Sequence, residues 1–109
     1  MATRLGEKLN ELRKSKKLTL DQLAEKAGMS KSYLWELENR ESQRPSAEKL
    51  TAIADALGVS VSYFLEEDTR TPDEKHFDEH FFRNYQKLDQ KDKEHLRKIL
   101  ETYNKPDGD

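Results

Sequence analysis

Cysteine is absent from the 109 residues, so there is no disulfide framework, no thiolate nucleophile and no cysteine-bound zinc. No apolar run approaches the length of a membrane span, and MATRLGEKLNELRK is too charged for a signal peptide. A soluble, cytoplasmic protein is expected. Hydrophobic residues make up only 33% against 39% charged, which calls for a small helical core. There is no glycine-rich phosphate loop, no nucleophile–base set and no isolated carboxylate pair. No enzymatic activity, cofactor or metal is expected.

The chain has a centre, Thr19 to Asn39, TLDQLAEKAGMSKSYLWELEN. Thr19 and Gln22 have the spacing of a capping box that opens a helix. Leu23 and Ala27 lie on one face, with Ala24 small enough for close helix approach. Gly28 stands where a helix stops in the left-handed conformation, and Ser30 caps a second helix carrying Leu34 and Leu37. Two short helices around a tight corner are the sequence form of a helix-turn-helix, whose second helix can enter a DNA major groove.

On that second helix, expected over Lys31 to about Arg40, Leu34, Leu37 and Glu38 define the buried side. At 100° per residue, Ser32 and Glu36 fall about 160° and about 200° from Leu34, directly opposite. Tyr33 and Trp35 flank that arc, and Lys31 sits at the N-terminal tip. On an arbitrary amphipathic helix this would be a solvated polar face. Within a helix-turn-helix it is the face that meets base edges. Ser32 discriminates poorly alone, and Glu36 accepts only, so it gains only against a donor such as cytosine N4. Lys31 reaches a guanine or a phosphate. Tyr33 and Trp35 suit thymine methyls or backbone sugars, or equally the edge of the core or a dimer contact.

LGEKLNELRKSKKLTLDQLAEKAGMSKSYLWELEN followed by RPSAEKLTAIADALGVSVSYFL resembles the five-helix domain of phage repressors, the Cro/repressor-like or Xre family. The resemblance runs from Thr3 to about Leu65 and rests on Ala24, Gly28, Leu34, Leu37, Arg44-Pro45 and ALGVS together. It implies an all-α fold whose first helix, Thr3 to about Lys16, buries Leu5, Leu9 and Leu12. It also implies a pair between Arg13 and Glu38, and a loop along the DNA backbone in which Arg44 meets a phosphate, with Gln43 and Asn39 as weaker candidates. Ser46 caps a fourth helix that buries Leu50, Ile53, Ala54 and Leu57 and ends at Gly58. Ser60 then caps a short fifth, where Val61, Phe64 and Leu65 are expected to close the core. The chain departs from the family pattern in two places. Leu20 and Asp21 open the second helix where polar braces are common, leaving Gln22 as a substitute contact, and the loop is poor in lysine.

Three units are expected: a DNA-binding domain over 1–66, a charged linker over 67–72 and a helical extension over 73–109. Thr71 to Glu74 has capping-box spacing with Pro72 at the first helical position. The helix after it places Phe77, Phe81, Tyr85 and Leu88 on one stripe, with Phe82 beside it, which must dock on the chain's own domain, on a second copy or on a partner and is expected to serve self-association. Asp89 caps a last helix with Leu96, Ile99, Leu100 and Tyr103 along a seam. His76 and His80 have a metal-gripping spacing, but without a third ligand they are expected to be solvated polar-face histidines. Residues 1–65 hold 11 Lys/Arg against 9 Asp/Glu, a balance of +2, whereas residues 66–109 hold 9 against 13, a balance of −4. That distribution argues against indiscriminate coating of DNA and favours a specific binder with few phosphate contacts.

The leading expectation is a sequence-specific transcriptional regulator, a repressor acting as a homodimer on double-stranded DNA with two-fold symmetry. A second reading makes the chain an antitoxin or adaptor whose extension binds a partner protein. A third is a scaffold that kept the fold and lost DNA binding, for which Glu36 and the thin basic lining speak.

Overall fold

The computed structural model describes residues 4–40, 44–66 and 71–104. Among them are seven helices and no strand: α1 Arg4–Ser15, α2 Leu20–Ala27, α3 Lys31–Asn39, α4 Ala47–Leu57, α5 Ser62–Leu65, α6 Glu74–Gln86 and α7 Gln90–Tyr103. Thr3, expected to cap α1, lies outside the described residues.

Most boundaries have a local cause; α5 is the exception, opening after Val61 with no side-chain cap where Ser60 was expected. At α2 the capping box forms as the sequence predicts, with Gln22 N–H donating to Thr19 Oγ1 (3.1 Å) and Thr19 N–H to Gln22 Oε1 (2.9 Å). Ser30 and Ser46 accept from the third residue of α3 and α4 in turn. Gly28 (φ 70°) and Gly58 (φ 78°) end α2 and α4, and the next residues, Met29 and Val59, donate back to Ala24 and Ala54 carbonyls. The end of α1 has the same pattern with a lysine in the left-handed position: Lys17 has φ 58°, and Leu18 N–H returns to the Arg13 carbonyl.

Helices α1 to α5 enclose one cluster of thirteen buried apolar residues, all between Leu9 and Phe64. At roughly 1.5–3 kcal/mol per fully buried large side chain, this cluster supplies most of the driving force for folding. Two helices meet unusually closely. A Cβ placed on Gly6 of α1 would lie 2.5 Å from the Leu37 carbonyl oxygen and 2.9 Å from that of Glu38, so α1 rests directly on the α3 backbone.

The short fifth helix corrects one expectation. Leu65 is 67% exposed, and Tyr63 and Val59 are buried in its place, with Phe64 as expected. A single helical turn buries only one side, and Leu65 lies beyond it. The first helix of the extension also opens later than predicted. Asp73, not Thr71, is its N-cap, and His76 takes the third position, accepting the Asp73 N–H through Nδ1 at 2.8 Å. Of the expected linker, 67–70 lie outside the described residues. The radius of gyration is 16.6 Å, against about 13 Å for a compact chain of this length, and the long axis is 57 Å, so the extension projects.

Candidate nucleic-acid interface

The position of α3 is set from behind by a buried ionic cluster. Glu38, 3% exposed, receives Arg13 Nε (2.7 Å) and Nη2 (3.0 Å), and Asn10 Nδ2 (2.6 Å). Arg13 Nη1 also donates to the Leu18 carbonyl (2.8 Å), tying the α1–α2 corner to the same group. Such a pair gains over its desolvation cost only when both carboxylate oxygens and the guanidinium are satisfied, and here both oxygens are engaged. The outcome is a fixed angle between α1 and α3.

The other side of α3 faces outward. Lys31, Ser32, Trp35 and Asn39 are exposed, whereas Tyr33 and Glu36 are half-buried. Lys31 Nζ lies 3.4 Å from Asp21 Oδ2 at the start of α2, a solvent-exposed pair worth little by itself. Tyr33 packs against the core edge with Lys49 Nζ 4.3 Å above its ring, and burial raises the pKa of its hydroxyl. Trp35 is 44% exposed with the Arg40 guanidinium 5.6 Å over the indole. The two aromatics therefore differ, Tyr33 belonging partly to the core and Trp35 being open to a ligand. Asn39 Nδ2 donates to the Trp35 carbonyl (2.9 Å). Gln22, exposed on α2, spends its carbonyl oxygen on the capping box. Arg44 is exposed beyond α3, and Gln43 lies outside the described residues.

A shallow depression beside α3 gathers Arg13, Lys14, Lys17, Thr19, Asp21 and Lys31 around the opening of α2. Lys14 and Lys17 were not among the predicted contacts. The KSKK run was the visible signal, but only the α1–α2 corner brings those residues to the same depression as Lys31. Cations at a helix opening are the chemistry that holds a phosphate oxygen.

A helix-turn-helix family model matches residues 9–64, the span that holds the core and this face. The chain belongs to the helix-turn-helix family. This helix-turn-helix protein is 39% identical to the immunity repressor protein of Bacillus phage phi105 over 108 residues, which is 95% of the chain and 67% of the relative. It is 39% identical over 67 residues to the transcriptional regulator SinR of Bacillus subtilis, covering 62% of the chain and 60% of SinR. Among solved structures, SinR bound to DNA matches with a TM-score of 0.55 at 39% identity, over 57% of this chain and 98% of that one. The SinR–SinI complex matches with a TM-score of 0.57 at 29% identity, over 94% of this chain and 99% of that one.

The extension gives the second candidate surface. Phe81 and Phe82 are 62% and 52% exposed, and Ile99, Leu100 and Tyr103 of α7 are exposed as well. Helix α7 buries no residue, and Lys93 and Arg97 reach over the Tyr85 ring of α6. The predicted stripe is divided. Phe77 lies under Lys16 Nζ (5.2 Å), Tyr85 and Leu88 are half-buried, and Phe81 is open. The histidines overturn the expectation of two solvated side chains: His76 is completely buried and His80 is half-buried. They face different carboxylates, Glu66 and Asp55. No helix among the described residues is long and apolar enough to cross a membrane.

Proposed function

We propose that this chain is a sequence-specific transcriptional repressor that binds double-stranded DNA as a homodimer on a two-fold-related operator. The observation that carries the reading is the outward face of α3, with Lys31, Ser32 and Trp35 exposed while Arg13 and Glu38 hold the helix from behind. Ser32, Trp35 and Glu36 contact base edges, with Lys31 at the groove entrance. Gln22, Asn39, Gln43 and Arg44 serve the flanking backbone, joined by Lys14 and Lys17, and Tyr33 supports the edge. Likeness to a phage immunity repressor over 95% of the chain, and to SinR bound to DNA, supports the same reading.

Selection of bound sequences from random duplex tests it. The selected duplex is expected to bind far more tightly than a scrambled one, with a log–log salt slope of about −3 to −7 for a dimer. Equal affinity for both at physiological salt would remove the regulator reading.

The extension supports a second role beside the first. We propose that Phe81, with Phe77, Tyr85 and Leu88 beside it and the α7 seam, forms a protein-binding surface that pairs two copies. An apolar patch of this kind left in water marks an interface. The solved complex of SinR with SinI supports the alternative that another protein takes that surface.

A further inference from the structure

The α6 helix presents two faces of opposite character. Phe81 and Phe82 point to solvent, while His76, Glu79, His80 and Arg83, at helical spacing, contact the helix-turn-helix domain. Most of those contacts are exposed or half-exposed ion pairs and hydroxyl bonds at 3.3–3.6 Å, long for hydrogen bonds and open to solvent screening. His76 differs in kind. It is 0% exposed and is the sole buried residue on α6 and α7.

Each polar atom of this ring is committed. Nδ1 accepts the Asp73 N–H at 2.8 Å, so the proton sits on Nε2, which donates to Glu66 Oε1 at 3.1 Å. The ring stands edge-on to Tyr63, with centroids 5.4 Å apart. Its backbone is held too, because Ser60 N–H donates to the His76 carbonyl at 2.9 Å. Lys8, buried in α1, closes the network by donating to the Tyr63 carbonyl (2.8 Å) and to the Glu66 carbonyl. The main-chain bond from Ser60 sets the height of α6 against the α4–α5 corner. The ring bond to Glu66 sets its rotation, while the bond from Asp73 holds the ring itself in place at the opening of α6. One residue thus caps the extension and locks it to the DNA-binding domain.

We propose that His76 is a positioning residue for operator recognition: it makes α6 a rigid arm, and so sets the separation of the two recognition helices in the dimer. The inference rests on the reading of the chain as a dimeric DNA binder paired through its extension. Half-sites lie at discrete separations, about one or more helical turns of DNA apart, so a rigid arm selects one separation while a loose arm accepts several.

Two measurements on the full chain test it. Because the protein has no cysteine, spin labels at Glu25→Cys on α2 and Gln86→Cys at the far end of α6 mark only those positions. Diluted in unlabelled chain, they are expected to give one narrow distance distribution in the otherwise native protein and a broad one with His76→Ala. His76→Gln keeps a capping acceptor but not the ring, and is expected to fall between. The second measurement is affinity for duplexes whose half-sites are moved apart one base pair at a time. The native chain is expected to prefer one spacing by about tenfold or more and His76→Ala to lose that preference, with binding to a single half-site unchanged. A distribution as narrow in His76→Ala as in the native chain overturns the proposal, and so does an unchanged spacing preference. Loss of single half-site binding by both His76 variants would equally overturn it, by showing a general structural role. A native chain that binds no selected duplex ends the regulator reading and the positioning role together. The label distances still report separately whether the joint is rigid.

Discussion

Ser32 and Arg44 are both exposed polar residues near α3, yet their chemistry separates their expected effects. Ser32→Ala removes a group that we propose faces base edges, so it is expected to alter base preference at particular operator positions with little change in melting temperature. Arg44→Ala removes the cation proposed to meet a phosphate and is expected to weaken all sites alike and flatten the salt slope by about 1. Sequence selection with each variant and a salt titration check both. An Arg44→Ala slope equal to that of the native chain would take Arg44 off the backbone. Tyr63 offers a residue-scale test of the core instead. Burial, then the Glu11 carboxylate, raises its pKa above the ordinary 10.0. A raised folded-state value means the native protein binds the proton more tightly than the unfolded chain does. That stabilisation is complete below pH 10 and declines as pH rises through the folded value. Urea unfolding of Tyr63→Phe is therefore expected to lose less stability above pH 10 than the native chain, each relative to its own value at pH 7. Parallel losses would show that Tyr63 does not control alkaline unfolding.

At the scale of elements, the decisive contact is α1 lying on the α3 backbone. Gly6→Ala would place a methyl carbon against two main-chain carbonyls that cannot rotate aside, 2.5 and 2.9 Å from its ideal position. The helices must then separate, at a cost of about 1–3 kcal/mol. The same movement would strain the Arg13–Glu38 bonds at 2.7 and 3.0 Å, so operator affinity is expected to fall along with the denaturant midpoint. Chemical denaturation with a binding titration measures both, and a variant as stable as the native chain would mean that α1 shifts freely. The helices themselves were legible in the sequence. Thr19, Ser30, Gly28 and Gly58 are local signals, and each acts on amides and carbonyls within its own turn. The burial of Tyr63 over Leu65 was not legible, because a four-residue helix has no periodicity to decide which side turns inward. The start of α6 at Asp73 was missed for a related reason: Thr71 offers an equal capping hydroxyl, and only the docked His76 ring favours the later start.

At the scale of the molecule, the chain has a complete core in residues 9–64 and an arm whose apolar residues mostly remain outside it. Truncation after residue 68 is expected to leave a folded, mainly monomeric domain with much weaker operator affinity, because the linked second domain and its effective concentration are lost. Sedimentation of the full and truncated chains measures this. An unchanged oligomeric state would assign the extension to docking on its own domain or to a partner protein.

What the sequence alone determined is the identity and order of the helices, the helix-turn-helix and its outward face. Those follow from spacing along the chain, where a 3.6-residue period and a capping residue act locally. Tertiary structure decided the rest. Lys14 and Lys17 join Lys31 because the α1–α2 corner folds them together. Lys8 and His76 are buried although their types favour solvent. Each is taken out of water by partners up to 58 residues away, and no local pattern records which distant carbonyl or carboxylate will be there to satisfy them.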